Sequence, residues 1–416
     1  MNETIKHRIE QIKRGEVPTG YKKSKLGVLP GDWTSMTVGE CLEKVEKPVA
    51  VEPDKLYTQI GIRSHGKGLF YKEPVSGESL GNKSVFWVEP DCFVLNIVFA
   101  WEQAIGKTTE NEIGMIGSHR FPMFRPIDNR VYIDYLISYL LTKRGTDILE
   151  FASPGGAGRN RTLGQDRFLN SKIILPTIDE QKKIAEILAT QDKVIALKEK
   201  LLEEKKKQKK YLMQQLLTGK KRLPGFTDRY FAQKMKTIIR ETSFRSNDGI
   251  NRNVMSVSNV KGFVSQTEQF DKIVASNDTS NYKIVKYGTF AYNPSRINVG
   301  SLALYKGNQE IIVSPMYSTF IALGNINMDY LLYWFKSFGF TSQLKKYLSG
   351  SVRNSLSISD LLLFDIRLPY IEEQNAIVEV LSNADKEISI IQKSIDQEKQ
   401  KKKALMQLLL TGIVRV

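Results

Sequence analysis

Two short turns, each rich in glycine and serine, carry the residues of this sequence best suited to binding an anion or a base edge. They span residues 153–163 and 348–356 and contain, in chain order, Arg159, Asn160 and Arg161, and then Arg353 and Asn354. Arginine forms paired hydrogen bonds with phosphate or guanine, and asparagine forms them with adenine. Because the two turns occupy corresponding places in the chain, we expect phosphate or base contacts there.

Other polar residues in predicted loops suit the same chemistry. In the first half of the chain they are Arg63, His65, Lys67, Ser118, His119 and Arg120. In the second half they are Asn259, Lys261, Asn293, Ser295, Arg296 and Ser318. Side chains of these types bind phosphates and base edges, but each could equally be a solvated loop residue or a turn former.

Catalytic chemistry has weaker support. Residues 292–295, Tyr-Asn-Pro-Ser, partly match the Asn/Asp-Pro-Pro-aromatic loop of amino-methyltransferases, but Ser295 and Arg296 replace its second proline and its aromatic residue. The glycine-rich segments 66–70 and 153–158 lack the GxxxxGK[ST] pattern of a phosphate-binding loop. Two cysteines and three histidines at unrelated spacings build neither a disulfide framework nor a four-ligand zinc site. We therefore predict no catalytic residue, metal site or cofactor in this chain.

The elements that must position the polar turns occur twice. Residues 175–219 and 368–412 align without a gap, and 22 of the 45 positions are identical. A repeat of this length indicates two related units. Within each unit the sequence predicts β-rich segments, one amphipathic helix (132–144 and 328–338), the arginine turn and a final strand. The predicted fold class is therefore α+β, with two globular α/β domains.

Each repeat ends in a long charged helix with an apolar stripe that is interrupted in its middle. Steps of four and three residues define the stripe from Ile184 to Leu216 and from Ile377 to Leu409. A narrow stripe on two similar helices predicts a coiled coil. A pseudo-two-fold axis that pairs them makes them antiparallel, with one globular domain at each end. About 38 residues would span roughly 57 Å. Two independent helical hairpins remain the alternative.

The charge of the chain favours a polyanionic partner. The formal net charge is +16, and such an excess points most simply to nucleic acid. The lysine runs 205–210 and 399–403 could equally form solvated helix faces. Residues 43–47 look like another charged helix face. The sequence shows neither a signal peptide nor an apolar run of 18 residues, so we expect a cytoplasmic protein without a membrane partner.

The tandem pattern LPxIxEQxxIxxxL resembles the specificity subunit of type I restriction–modification enzymes. The resemblance covers essentially the whole chain and rests on Glu180–Gln181 and Glu373–Gln374. It implies two target recognition domains related by pseudo-two-fold symmetry, joined by two long antiparallel helices. The expected segments are an N-terminal helix and linker (1–28), domain 1 (29–178), spacer helix 1 (179–222), domain 2 (223–371) and spacer helix 2 (372–416).

The resemblance also implies a function and partners. The chain would recognise double-stranded DNA without being an enzyme, each domain reading one half-site and the helices setting the spacer. It would bind two modification subunits, which carry adenine methyltransferase chemistry and S-adenosylmethionine. Two restriction subunits would use ATP and Mg²⁺ for translocation and cleavage. A basic coiled-coil scaffold that bridges proteins without reading sequence remains the alternative.

Overall fold

The computed structural model describes residues 3–24, 27–155, 161–248, 250, 252–265, 278–349 and 355–416. The chain divides into two compact units. Unit 1 comprises Met1–Lys198 and Ser394–Val416, and unit 2 comprises Glu199–Lys393. Among the described helices, none combines the length and the apolar character needed to cross a membrane.

Unit 1 is built from short strands, short helices and parts of two long helices. Its helices are α1 (Glu3–Lys13), α2 (Val38–Cys41), α3 (Gly77–Leu80), α4 (Ile133–Leu140), α5 (Lys143–Ala152), α6 (Gln165–Leu169) and the first part of α7 (Ile178–Leu216). Its strands are β1 (Tyr21–Ser24), β2 (Gly27–Pro30), β3 (Thr34–Thr37), β4 (Leu42–Val45), β5 (Leu56–Tyr57), β6 (Ile60–Ile62), β7 (Leu69–Tyr71), β8 (Val75–Ser76), β9 (Val85–Trp87), β10 (Phe93–Leu95), β11 (Ile105–Lys107), β12 (Ile116–Ser118), β13 (Met123–Pro126) and β14 (Lys172–Leu175).

Unit 2 repeats this construction. Its strands are β15 (Phe231–Lys234), β16 (Ile239–Glu241), β17 (Asn253–Ser258), β18 (Gly262–Ser265), β19 (Lys283–Val285), β20 (Thr289–Tyr292), β21 (Leu302–Leu304), β22 (Ile311–Val313), β23 (Ser318–Ala322) and β24 (Asp365–Leu368). Its helices are α8 (Met235–Ile238), α9 (Met328–Phe335), α10 (Phe338–Ser349), α11 (Ile358–Leu361) and most of α12 (Ile371–Leu409), whose last residues belong to unit 1.

The two units share one sheet topology. The antiparallel sheet of unit 1 has the order β4-β13-β10-β11, and that of unit 2 has the matching order β16-β23-β20-β21. In unit 2 a second sheet has the order β18-β17-β22-β19, with β17 and β22 parallel. In unit 1 the corresponding pairs are β6-β7 and β9-β12, joined by a parallel bridge between Gln59 and Ile116. The predicted α+β fold and its duplication are therefore confirmed.

The helix predicted in each domain is two helices. In unit 1, within the segment 132–144, α4 ends at Leu140 and α5 begins at Lys143. Thr142 caps α5 by accepting a hydrogen bond from Gly145 N. In unit 2 the segment 328–338 is likewise divided between α9 and α10. The charged segment 43–47 is also not a helix, since β4 pairs with β13 through its first residues.

The repeated Glu-Gln pair links each globular domain to the long helices. The Gln181 amide accepts a hydrogen bond from Tyr132 N (2.8 Å) and donates one to Pro176 O (3.1 Å). The Gln374 amide does the same with Asn327 N (3.0 Å) and Pro369 O (2.9 Å). These contacts join the first residues of a long helix to the N-terminus of a helix in the domain. The motif therefore has a structural role in both units.

The glutamates of the two motifs bind arginines that follow the end of the other long helix. In unit 1 the Glu180 carboxylate accepts from Arg415 Nε (2.6 Å) and Nη2 (2.8 Å). In unit 2 the Glu373 carboxylate accepts from Arg222 Nε (2.7 Å) and Nη2 (2.5 Å). Each pair has two parallel hydrogen bonds, the strong geometry for guanidinium and carboxylate. The beginning of one long helix is thus fastened to the end of the other.

The predicted apolar stripes form the contact between the long helices. Every position of both stripes is buried or half-buried. In unit 1, the Gln191 amide donates to Glu398 Oε2 (2.8 Å) and Lys198 Nζ donates to Ser394 Oγ (2.7 Å). Residues further along α7 contact residues earlier in α12, so the two helices are antiparallel in this unit.

The same geometry holds in unit 2, where Lys205 pairs with Glu387 (2.8 Å) and Lys209 with Asp385 (2.5 Å). These lysines lie within the polar interruption of the stripe. Carboxylates of the other helix fill that interruption, so the coiled-coil prediction is confirmed within each unit.

Residues of α1 and β1 contact the segment that follows α12. Arg8 Nη1 donates to Ile413 O (3.0 Å), and the Tyr21 hydroxyl donates to Gly412 O (2.8 Å). The Arg8 guanidinium also lies 5.0 Å from the centre of the Tyr21 ring. These contacts fasten the first residues of the chain to unit 1, although α1 itself has no fully buried residue.

Candidate nucleic-acid interface

In each unit, four loops converge beyond the end of one central strand. In unit 1 this strand is β10, and the loops are residues 63–68, 97–103, 118–121 and 161–163, which we call loop cluster 1. In unit 2 the strand is β20, and the loops are residues 258–262, 294–300, 314–317 and 355–356, which we call loop cluster 2. Most of the polar residues predicted from the sequence fall in these loops.

Backbone hydrogen bonds bring the loops of cluster 1 together. Ile97 N donates to Arg120 O (3.0 Å), and Leu163 N donates to Ile97 O (2.8 Å). His65 N donates to Glu102 O (2.8 Å). The loop 97–103 therefore contacts the other three, which are distant from it in sequence.

Cluster 2 is assembled in the same way. Leu356 N donates to Pro294 O (3.0 Å), the counterpart of the bond between Leu163 and Ile97. The Tyr317 hydroxyl accepts from Val257 N (3.2 Å), and Ser301 Oγ donates to Val257 O (3.4 Å). The hairpin β17-β18, the loop 294–300 and the turn 314–317 are thus held side by side.

An asparagine begins the central loop of each cluster. The Asn96 side-chain oxygen accepts from Val98 N (3.0 Å), and the Asn293 side-chain oxygen accepts from Ser295 N (3.1 Å). Both asparagines are buried. An asparagine that bonds the backbone two residues ahead stabilises a turn. Asn293, predicted to contact DNA, therefore also shapes the loop that carries Arg296.

The structure gathers three predicted residues of unit 2 around one cavity. Asn259, Asn293 and Arg296 line a cavity of about 240 Å³ in loop cluster 2. Lys261 is exposed in the adjoining hairpin turn. Ser318 follows the cluster at the start of β23 and lies opposite Tyr292 in the sheet. Polar groups from two separate loops thus face one space.

In unit 1 two of the predicted arginines are held by neighbouring side chains or backbone. Arg63 Nη1 donates to Leu69 O (2.6 Å), and its guanidinium lies 5.1 Å from the centre of the Phe70 ring. The Arg161 guanidinium lies 5.4 Å from the centre of the Trp101 ring. A guanidinium held over an aromatic ring keeps its charge and most of its donors available to a ligand.

The remaining predicted residues of unit 1 are not all gathered at one cavity. Ser118 and His119 line a cavity of about 250 Å³ together with Lys44. His65 and Lys67 are exposed in the hairpin turn between β6 and β7, and His65 has a left-handed backbone (φ +61°). Arg159, Asn160, Arg353 and Asn354 lie outside the described residues. Arg161, the residue after Asn160, and Leu356, two residues after Asn354, are in the two loop clusters.

The unpaired charges of the loops distinguish them from the long helices. Seven exposed polar side chains of the clusters have no hydrogen-bond or ion-pair partner among the described residues; they are His65, Lys67, His119, Arg120, Asn259, Lys261 and Arg296. By contrast, Lys205 and Lys209 of α7 are neutralised by carboxylates of α12. The loop side chains have no partner within the described structure, whereas these two helix lysines do, so the loops are where an anionic ligand can bind.

A buried lysine of β19 holds one turn of loop cluster 2 in place. Lys283 is 8% exposed, and its ammonium donates to Tyr317 O (2.7 Å). Burial lowers the pKa of this ammonium. Lys283 thus anchors the turn that contributes Tyr317 to the cavity. Its role could not be foreseen, because a strand lysine normally faces solvent.

Other members of the clusters could not be identified from residue types and spacing. Trp101, under the Arg161 guanidinium, and the exposed apolar residues Val260, Val299 and Met316 were not predicted. Apolar residues in a sequence are first assigned to the core, and only the folded backbone shows that these three are exposed. No group of three or more His, Cys, Asp or Glu residues in the described part of the chain could hold a metal ion.

Comparison with known proteins identifies the family. Residues 85–207 and 231–399 match the type I restriction modification DNA specificity domain. The MjaVIII specificity subunit of a Methanocaldococcus jannaschii type I restriction enzyme is 24% identical over 414 residues, covering 93% of this chain and 94% of that protein. The putative MjaX specificity subunit of the same organism is 25% identical over 435 residues, covering 95% and 97%.

Solved structures with the same fold include the HsdS subunit from Thermoanaerobacter tengcongensis, with a TM-score of 0.52 at 18% identity, covering 93% of this chain and 98% of that one. A chain from a structure of type I R-M system assembly and conformational transition has a TM-score of 0.58 at 17% identity, covering 93% and 99%. The chain belongs to the type I restriction modification DNA specificity family. It is a subunit that recognises DNA sequence for a type I restriction–modification system.

Proposed function

We propose that this chain reads a bipartite site on duplex DNA, with loop cluster 1 on one half-site and loop cluster 2 on the other. The observation that carries this proposal is the double occurrence of one loop arrangement with different side chains. At one position of the hairpin turn unit 1 carries His65 and unit 2 carries Asn259, while two positions later both units carry a lysine, Lys67 and Lys261. A shared scaffold with different donors is what two different base sequences require.

The cations of the clusters also suit the DNA backbone. Arg120 and Arg296 are exposed and have no ion-pair partner among the described residues. Phosphate contacts fix the register of a protein on the duplex, while base contacts give the specificity. We propose that the arginine turns with Arg159, Asn160, Arg161, Arg353 and Asn354 add contacts of both kinds.

The proposed complex contains two modification subunits and two restriction subunits. In it the chain supplies no catalytic group, and S-adenosylmethionine, ATP and Mg²⁺ belong to the partners. Family membership and the likeness to a chain from an assembled type I R-M system support association with such subunits. In this proposal the five segments predicted from the sequence are an N-terminal helix with its linker, two domains that recognise DNA and two helices that set the spacer.

A basic scaffold without sequence reading is the competing function, and the ion pairs of the helices argue against it. The net charge of +16 would have to form a basic surface on the long helices. In unit 1, Lys402 is instead paired with Asp192 (2.6 Å) and Lys198 with Glu398 (2.7 Å). Pairs of this kind occupy lysines that a basic helix surface would need.

Competition binding tests the proposed function. The full chain with its modification subunits is titrated with a duplex that carries the mapped site and with duplexes scrambled in one or both half-sites. We expect the intact site to bind at least about 10³-fold more tightly than the fully scrambled one. Affinity should fall linearly with salt on logarithmic axes, because phosphate contacts release counterions. Equal affinity for all duplexes would contradict the proposal.

A further inference from the structure

Loop cluster 2 is apolar at three positions where loop cluster 1 is polar or lacks a side chain. The residues of cluster 2 are Val260, Val299 and Met316, and those at the equivalent positions of cluster 1 are Gly66, Glu102 and Arg120. The three apolar residues are 85%, 51% and 59% exposed, respectively. Large apolar groups that gather at a surface commonly mark a binding site.

The hairpin turns establish the first equivalence. Gly68 and Gly262 each end the turn with a left-handed backbone, at φ +73° and +74°. They precede or begin the second strand of the hairpin, β7 in unit 1 and β18 in unit 2. Two positions earlier the turn carries Gly66 in unit 1 and Val260 in unit 2.

The central loops establish the second equivalence. Each contains a 3₁₀-helical turn that ends at a residue with a left-handed backbone, Gln103 at φ +60° and Gly300 at φ +85°. The strands β11 and β21 follow two residues later. The residue just before the left-handed one is Glu102 in unit 1 and Val299 in unit 2.

The turns before β13 and β23 establish the third equivalence. Phe121 N and Tyr317 N each donate to the carbonyl three residues earlier, at 2.8 and 3.0 Å. The preceding residue is Arg120 in unit 1 and Met316 in unit 2. At these three positions the two clusters therefore have matching backbones and different side chains.

The apolar residues of cluster 2 lie among donors that suit base edges. Val299 and Met316 line the same cavity as Asn259 and Arg296, and Val260 follows Asn259 in the hairpin turn. This mixture fits a surface that presents both hydrogen-bonding atoms and an apolar group. In the major groove the apolar group of a base pair is the C5-methyl of thymine.

We propose that loop cluster 2 recognises thymine through its methyl group, whereas loop cluster 1 reads its half-site without methyl contacts. This inference rests on the proposed function and adds the chemistry that separates the two half-sites. Asn259 and Arg296 form hydrogen bonds with the nitrogen and oxygen atoms of the base edges. The three residues Val260, Val299 and Met316, which we call the apolar trio, surround the methyl group. A base pair without the methyl leaves these apolar groups in water.

Replacement of thymine by deoxyuridine in the binding site tests the inference, because the two nucleosides differ only by that methyl. The full chain with its modification subunits is titrated with fluorescent duplexes substituted in one half-site at a time. Half-site 2 is identified as the one whose scrambling lowers affinity by a smaller factor once Arg296 is replaced by alanine. There, each contacted methyl removed should weaken binding about four-fold, the effect of one buried methyl group. Substitution in half-site 1 should leave affinity unchanged.

A protein variant connects the effect to the apolar trio. Met316→Gln keeps the length of the side chain and should abolish the preference for thymine over deoxyuridine. Leu363→Gln is the matched control, since Leu363 is 65% exposed in unit 2 outside loop cluster 2, and it should retain that preference.

Three outcomes would overturn the inference. The first is equal affinity for duplexes with thymine and with deoxyuridine in half-site 2. The second is a half-site 2 that contains no thymine in either strand. The third is a Met316→Gln variant that loses subunit assembly and keeps the preference for the methyl group. The last would identify the trio as a protein-docking surface. Failure to prefer any duplex sequence would instead contradict the proposed function itself.

Discussion

Replacement of Arg222 by alanine is expected to lower the free energy of unfolding by about 3–5 kcal/mol. The Glu373 side chain is 2% exposed, and Arg222 supplies both of its hydrogen bonds from Nε and Nη2. No other side chain in the described part of the chain donates to this carboxylate. Its loss leaves a buried charge without a partner, which costs far more than the loss of a surface ion pair. Urea denaturation followed by circular dichroism measures the change.

The equivalent pair in unit 1 provides a matched comparison. Arg415→Ala should destabilise the protein less, by about 1–3 kcal/mol. Glu180 keeps a donor in Trp33 Nε1 (3.2 Å), and the Arg415 side chain is 34% exposed against 21% for Arg222. The double variant Arg222→Ala/Glu373→Ala should recover part of the lost stability, because the stranded carboxylate is removed as well. An Arg222→Ala protein within 1 kcal/mol of the parent would show that this pair does not fasten the helix ends.

Replacement of Arg296 by alanine is expected to reduce affinity for the cognate duplex by about 5- to 150-fold, as for the loss of one paired contact with a base. The Arg296 side chain is exposed at the cavity of loop cluster 2, with no ion-pair partner in the described structure. The reduction should fall on one half-site only. Binding to a set of duplexes with single base-pair changes will show which positions lose discrimination.

Two further variants separate a base contact from a phosphate contact. Arg296→Lys keeps the charge but not the paired donors, so it should restore non-specific affinity without restoring discrimination. Lys234→Ala is a control for charge, because Lys234 is a surface cation of unit 2 that is paired with Asp365 outside the cluster. Unchanged discrimination in Arg296→Ala would contradict the assignment of loop cluster 2 to base reading.

The repeat made the frame of this protein predictable. The spacing of apolar residues located the long helices and their contact, since every stripe position is buried or half-buried. The division of the segment 132–144 into α4 and α5 was not predictable from periodicity. A side chain at Gly145 would come within 2.2 Å of Leu140 Cα, so the break depends on a close backbone approach. Apolar spacing does not show such an approach.

The candidate site was predictable only by residue type. The DNA contacts expected of the loop arginines, lysines and asparagines stay a prediction, and the grouping of these residues depends on long-range bonds such as that of Ile97 with Arg120. The side-chain oxygen of Asn293 stabilises its own turn. The exposure of Met316 depends on the fold alone. Side-chain identity thus suggested the chemistry, and the three-dimensional arrangement decided which groups share a surface.

The central claim is that each unit reads its own half of a bipartite site. It is tested most directly by mapping modified bases in cells that carry this chain with its partner subunits, and in cells that carry the Asn259→Ala/Arg296→Ala variant. We predict a two-part motif with an unspecified spacer, and a variant motif that is relaxed or altered in one half alone. A continuous motif, or equal change in both halves, would contradict the account.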